Sequence, residues 1–344
     1  MPQPTDHTPA VRRWLWFVFA LITAMVAIGG ITRLTGSGLS MVEWRPLMGT
    51  LPPLSEAEWL RVFDQYKLSP QYAKVNHWMT LADFQRIFFW EYLHRLLGRL
   101  IGLVTFFPWL YFVLRKRLSG RTARRAFLAI VFGGLQGLLG WFMVKSGLVD
   151  RPEVSHYRLA AHLSLAFFVG AYVLWVIADL DPRPSRARVG RRWTWTVGVL
   201  LALQIVYGAF MAGTRAGYLF STFPDMNGVL VPDTWLRLSP AWHNLVENHV
   251  AIHFIHRCLA YLVAGAVLAL ATVGLRRAQA PGDRRAAALL GGLVAVQFGL
   301  GVWTVMGGVP IAVATAHQVV AFWLLGALVW FAHAFRGGAE PTAG

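Results

Sequence analysis

Eight apolar stretches of about 20 residues each govern what this chain can become, because that length crosses a bilayer as a helix. They fall at residues 14–31, 87–114, 126–144, 159–180, 193–213, 250–275, 286–306 and 311–335. At about 1.5 Å per residue, each matches a hydrocarbon core roughly 30 Å thick. The expectation is an all-α integral membrane protein with eight transmembrane helices. Charged residues are only 14 % of the 344, against 56 % hydrophobic. A soluble domain carries about 25 % charged residues, so much of this surface faces something other than water. The 16 Trp and 22 Phe fit aromatic belts at the membrane interfaces.

A net charge of +16 raises the question of nucleic acid, and the positions of the charges answer it. Basic residues crowd alternate connections. Arg12 and Arg13 precede the first span, and Arg115, Lys116, Arg117, Arg121, Arg124 and Arg125 follow the second. Arg183, Arg186, Arg188, Arg191 and Arg192 follow the fourth; Arg276, Arg277, Arg284 and Arg285 follow the sixth; Arg336 ends the eighth. These short segments share one side, which the positive-inside rule makes cytoplasmic. Both termini then lie inside, and no nucleic-acid partner is expected. The first apolar run reads as a retained span rather than a signal peptide, because removing it would invert the next basic cluster. Cys258 is the single cysteine, which excludes an intramolecular disulfide and a CxxC metal site.

Two long connections, about residues 34–85 and 214–248, fall on the outer side. Leu54-Ser55-Glu56-Ala57-Glu58-Trp59 predicts a short surface helix started by Ser55. Pro224, Asp225, Asn227, Gly228, Pro232 and Asp233 mark the second connection as turn-rich. Each connection follows an odd-numbered span, which prompts a search for a repeat. Gln136-Gly137-Leu138-Leu139-Gly140-Trp141 on the third span matches Gln297-Phe298-Gly299-Leu300-Gly301-Val302-Trp303 on the seventh. His94-Arg95 matches His256-Arg257, and His162 matches His317, at a nearly constant offset. Four spans per repeat is an even number, so the halves insert in the same sense. The chain is expected to form two pseudo-symmetric four-helix bundles in parallel repeat, residues 1–180 and 181–344.

Ionisable side chains within a span are costly and usually functional. His94, His162, His256 and His317 lie on the second, fourth, sixth and eighth spans, all running from outside to inside, at similar depth near the outer face. Within each half, two helices present one histidine each. Bundle-core cofactor sites are assembled this way, and two neutral imidazoles suit haem iron as axial ligands. Gly98, Gly102, Ala160, Ala161, Ala314 and Ala316 leave room for a flat macrocycle. A competing reading makes each histidine an interhelical hydrogen-bonder. Zinc fits less well, since the usual sets with Cys or carboxylate are missing. Arg95 and Arg257 follow a histidine each, and Arg99 and Arg158 share helices with His94 and His162. Guanidinium suits carboxylates such as haem propionates; pairing with Glu91, Glu247 or Asp83 is the alternative. The halves differ at one place. Glu91 lies three residues before His94 on the same helix face, and His253 takes that place in the other half. A carboxylate there acts as a base or stabilises developing positive charge, unless it serves only to pair Arg95. His253 is a fifth ligand candidate, but one turn above His256 it reads rather as a donor beside it. His7, His77, His156, His243 and His249 lie at or outside the interface, and His333 reads as an ordinary interfacial residue.

These residues carry a family resemblance over about residues 14–335. Its motifs are Gly30-Ile31-Thr32-Arg33-Leu34-Thr35-Gly36-Ser37-Gly38-Leu39-Ser40-Met41, Glu91-Tyr92-Leu93-His94-Arg95, Gln136-Gly137-Leu138-Leu139-Gly140-Trp141, Tyr157-Arg158-Leu159-Ala160-Ala161-His162, His256-Arg257 and Ala316-His317-Gln318. The ordered set resembles the haem A synthase family, membrane oxidoreductases that convert haem O to haem A for cytochrome oxidase. The resemblance implies that His256 and His317 ligate a resident haem b, and that His94 and His162 flank the substrate haem O. It implies that Glu91 assists oxidation of the C8 methyl group through an alcohol to a hydrated aldehyde, which loses water. Haem O synthase and cytochrome oxidase assembly factors are the implied partners, and a bacterial inner membrane the implied place, with the haem sites toward the periplasm. No cysteine pair stands in the first outer loop, as in the proteobacterial and mitochondrial branch. Two other classes compete: a dihaem b-type electron-transfer cytochrome, and a haem transporter. The cytochrome predicts two symmetric sites, against which the single Glu91 counts.

Overall fold

The computed structural model describes residues 8–43, 51–148, 152–180 and 187–337. His7, Arg183, Arg186 and residues 44–50 of the first outer connection lie outside the described residues. Helix α1 is Thr8–Leu34, α2 Glu56–Lys67, α3 Leu81–Leu114, α4 Gly120–Lys145 and α5 His156–Asp179. Helix α6 is Arg191–Thr214, α7 His249–Arg277, α8 Pro281–Met306 and α9 Ile311–Ala334. Among the described residues the only extended pairing is two isolated bridges. All but α2 are long and apolar enough to cross a membrane, so the chain is an all-helical, multi-pass membrane protein.

The helices outrun the apolar stretches, mostly at their N-termini. Hydropathy detects only the part that meets lipid, whereas caps set where a helix starts. Thr80 accepts from the Asp83 amide while the Asp83 carboxylate accepts from Thr80, a capping box that starts α3 six residues before its apolar run. Ser119 caps α4, and Asn248 accepts from the Val250 and Ala251 amides to start α7. Ser55 caps α2 as its sequence predicts. The 34 residues of α3 make a rod of about 50 Å, longer than the hydrocarbon. Its first turns therefore stand clear, and α2 packs there through Phe63, Tyr66, Phe84 and Phe88. Tyr66 is fully buried; burial pushes its hydroxyl up to about 12, so it remains a donor to Gln71 and accepts from Asn76.

Outward faces are apolar: Phe107, Leu138, Trp195 and Trp303 are all more than half exposed, which suits lipid and not water. Helix packing runs α1 to α3 to α4 to α5 and back to α1, and likewise α6 to α7 to α8 to α9 and back to α6. The two circuits meet along α1, α5, α6 and α9. Lipid provides no hydrophobic drive between helices, so close approach depends on small residues. At Gly170 on α5 an added Cβ would lie 2.3 Å from the Phe322 ring of α9, and Phe322 in turn stacks on Phe19 of α1 at 5.4 Å.

One expectation needs correcting. His333 is not an ordinary interfacial residue: it is 7 % exposed and lies 2.9 Å from Asp179 at the end of α5. Arg125 and Arg336 donate to the same carboxylate. The ends of α4, α5 and α9 away from the histidines are thereby tied together, and a largely buried carboxylate without such partners would be costly.

Candidate functional site

The four histidines sit on helices that are opposite, not adjacent, in the two circuits. His94 on α3 faces His162 on α5, and His256 on α7 faces His317 on α9; within each pair the imidazoles lie within electrostatic reach of each other. All four are partly covered by protein. Each imidazole is backed by a glycine of the neighbouring helix. A Cβ added at Gly140 would stand 2.9 Å from Cε1 of His162, at Gly301 3.0 Å from Cε1 of His317, and at Gly208 3.3 Å from Cε1 of His256. At Gly29 it would stand 3.3 Å from Nε2 of His94. Any larger side chain would push the ring inward.

A glutamine one turn before the glycine completes three of these settings. The amide nitrogens of Gln136, Gln204 and Gln297 lie 3.3, 3.5 and 3.3 Å from Nε2 of His162, His256 and His317. Nδ1 of those histidines and Oε1 of those glutamines are buried with no protein partner. Buried polar atoms are rarely left so, and their concentration at three histidines marks them as ligand-facing. Among the described residues no three His, Cys, Asp or Glu side chains gather as a metal cage. The donor set is paired imidazoles, which fits axial ligation of a planar macrocycle.

Next to the histidines, the two long connections are pinned by matched devices. Glu91, 2 % exposed, accepts from the Ser40 hydroxyl at 2.7 Å, the Met41 amide at 2.8 Å and the Arg95 guanidinium. Arg95 also donates to the Met41 carbonyl at 2.9 Å. In the other half His253, wholly buried, places Nδ1 at 2.9 Å from the Ala216 carbonyl and accepts from Arg257 at Nε2. Arg257 reaches the Thr222, Asp225 and Phe220 carbonyls. Both nitrogens of His253 are thus occupied, so it braces a loop and is no further ligand. Irregular backbone at the edge of a membrane needs donors for its carbonyls, and guanidinium supplies five. The Glu91–Arg95 pairing considered from sequence is present; Arg257 pairs with carbonyls rather than with Glu247. Arg158 donates to the Phe142 carbonyl and lies over the Phe142 ring.

Sequence reasoning missed the glycine and glutamine cradles as such. The signal was there: Gln136/Gly140, Gln204/Gly208 and Gln297/Gly301 repeat one spacing on the third, fifth and seventh spans. Gln318, beside His317, donates to the Val26 carbonyl at 2.8 Å, so α9 is fastened to α1 next to a candidate ligand.

Eight helices long and apolar enough to cross a membrane, with two histidine pairs on opposed helices beneath braced connections, define a polytopic membrane protein with paired imidazoles among its spans. The match to known proteins is specific. The profile of the COX15-CtaA family, described as cytochrome oxidase assembly protein, matches residues 12–329, and the chain belongs to that family. It is 46 % identical to "Heme A synthase" of Rhodopseudomonas palustris strain BisA53, over 92 % of this chain and 88 % of that one. It is 44 % identical to the protein of that name from Rhodospirillum centenum, over 99 % and 92 %. For the one from Nitrosospira multiformis the figures are 43 %, 98 % and 97 %.

Proposed function

We propose that this chain is a haem A synthase, an oxidoreductase that converts the C8 methyl group of haem O to a formyl group. The observation that carries the reading is the pair of opposed histidine sites with unlike neighbours, a carboxylate above one and an imidazole above the other. In this reading residues 1–180 form the half that receives haem O between His94 and His162. Residues 181–344 form the parallel half that holds a resident haem b between His256 and His317. The closed packing circuit of each set of four spans supports that division, and so do the repeated glycine backings. Haem iron held at these positions would supply one-electron chemistry.

The protein's own contribution is placement. Glycine backing sets the imidazole rings, and the two long connections, braced through Arg95 and Arg257, cover the ends of the helices that carry His94 and His256. Arg95 and Arg257, each one residue from a candidate ligand, hold the long connections and add positive charge that would suit the propionates of a bound haem. Glu91, fixed by three donors, places a carboxylate on the face of α3 that carries His94, where it can stabilise positive charge developing at the reacting carbon. Basic residues concentrated in alternate connections support cytoplasmic termini and haem sites toward the periplasmic side of a bacterial inner membrane.

Pigment extraction tests the reading. Purified protein is expected to yield haem b together with haem O, an alcohol intermediate or haem A in variable amounts. A fixed two haem b per chain would instead make it an electron-transfer cytochrome. The glycine backing has its own expected result. Gly301→Val, with a Cβ 3.0 Å from the His317 ring, should weaken the resident haem by about 10-fold or more. Titration of haem loss from the detergent-solubilised protein measures it, and wild-type retention would deny the glycine this role.

A further inference from the structure

The first helix of each half carries the same short motif, and only one copy is covered by protein. Arg12-Arg13-Trp14-Leu15-Trp16 on α1 matches Arg191-Arg192-Trp193-Thr194-Trp195 on α6. The offset is the one that relates Gly29 to Gly208, the glycines behind His94 and His256. The two motifs therefore hold equal places, about 25 Å along the helix from those glycines, on the side away from the histidines. On α1, Trp14 is buried and donates to the Val104 carbonyl at 2.8 Å. The Trp16 ring lies 6.0 Å from that of Trp330 on α9. The repeat that sets His162 with His317 sets Trp175 with Trp330, so Trp175 on α5 is the ring that would cover the α6 copy. It lies against His333 instead, edge-on at 5.8 Å. Trp195 is left 65 % exposed. Arg191 and Arg192 are exposed as well, and among the described residues neither pairs with a carboxylate. Arg191, Arg192, Trp195 and Thr196 line one open groove of about 720 Å³. Val199 and Leu203 continue the i, i+4 line from Arg191 and Trp195 along α6, and both are exposed.

We propose that this groove binds a phospholipid with an anionic headgroup, its phosphate at Arg191 and Arg192 and one chain along Val199 and Leu203. The side chains change along α6 in the order that a phospholipid does. Charge comes first, then an amphipathic indole at headgroup level, then aliphatic side chains at hydrocarbon depth. The Thr196 hydroxyl donates to the Arg192 carbonyl at 3.1 Å, which leaves the two guanidiniums as the charged donors of the groove. Guanidinium matches phosphate with paired N–H groups, and each basic residue near the surface favours an anionic lipid by about five-fold. The lipid covers at the α5–α6 contact what Trp330 covers at the α1–α9 contact, and the halves meet along both. The site is independent of which haem either half holds.

Native mass spectrometry of full-length, delipidated protein in detergent tests this, with phosphatidylglycerol, phosphatidylcholine or inorganic phosphate added at equal concentration. One phosphatidylglycerol is expected to be held about 10-fold or more tightly than phosphatidylcholine. Replacing both arginines, Arg191→Gln with Arg192→Gln, should remove that preference. Arg121→Gln with Arg124→Gln takes the same charge from exposed positions on the same side and should leave it intact. Equal retention of the two phospholipids by the unaltered protein, or equal loss of preference in both double variants, overturns the site, since the charge would then act only as a diffuse surface potential. Inorganic phosphate displacing phosphatidylglycerol at comparable concentration would make this a free-anion site and overturn the lipid assignment.

Discussion

Replacing His256 by alanine is expected to strip the resident haem from the purified protein, lowering its affinity by at least about 100-fold. The imidazole is one of the two candidate ligands of its half, and Gln204 and Gly208 both lie against that ring. Alanine leaves a space the size of the lost ring beside Gly208, and added imidazole should enter it. The measurement is the low-spin optical spectrum with and without imidazole, alongside the elution profile in detergent. Partial recovery of the spectrum on adding imidazole would separate ligand loss from misfolding, since α7 is capped by Asn248 and braced through His253 and Arg257 independently of His256. An unchanged low-spin spectrum in the variant would show that the halves are misassigned.

The transmembrane fold was legible because lipid imposes one rule on every span, a length of apolar sequence. What hydropathy cannot see is where a helix ends, which explains the six extra residues at the start of α3: Thr80 and Asp83 start it in water. The histidine pairs were legible through the repeat, which set His94 with His256 and His162 with His317 at nearly one offset. Their cradles were not, although Gln136 and Gly140 stand in a quoted motif. That a residue on α4 touches a ring on α5 depends on how far each helix is rotated about its axis, and packing across the bundle sets that. Arg95 and Arg257 show a second kind of gap. Their positive charge was plain in the sequence, but the hold of the outer loops on their donors depends on where the backbone of residues 41 and 220–225 passes. His333 was misread because its partner Asp179 lies 154 positions away in sequence.

The second large effect belongs to Glu91. Glu91→Ala is expected to cut haem A formation by about 10²-fold or more, the usual range for losing a placed acid–base group, while the resident haem spectrum stays intact. Two causes would act together in that variant, and the structure shows how to part them. The carboxylate accepts from Ser40, Met41 and Arg95, so its removal also loosens the first long connection and takes one carboxylate from the Arg95 guanidinium. Breaking a buried pair on one side costs about 3–5 kcal/mol, enough to disorder the loop above His94. Glu91→Gln keeps the shape and one acceptor for the Ser40 hydroxyl or the Met41 amide, but removes the charge. If the glutamine variant restores thermal stability and still makes no haem A, the negative charge itself is needed beside the substrate. If it restores both, Glu91 acts by holding the loop, as His253 does in the other half with no charge at all. Wild-type yield of haem A from the alanine variant would remove the carboxylate from the reaction altogether. The comparison with His253 gives this experiment its force: the same place in the repeat braces a loop with either residue, so only a demand peculiar to the first half calls for an anion.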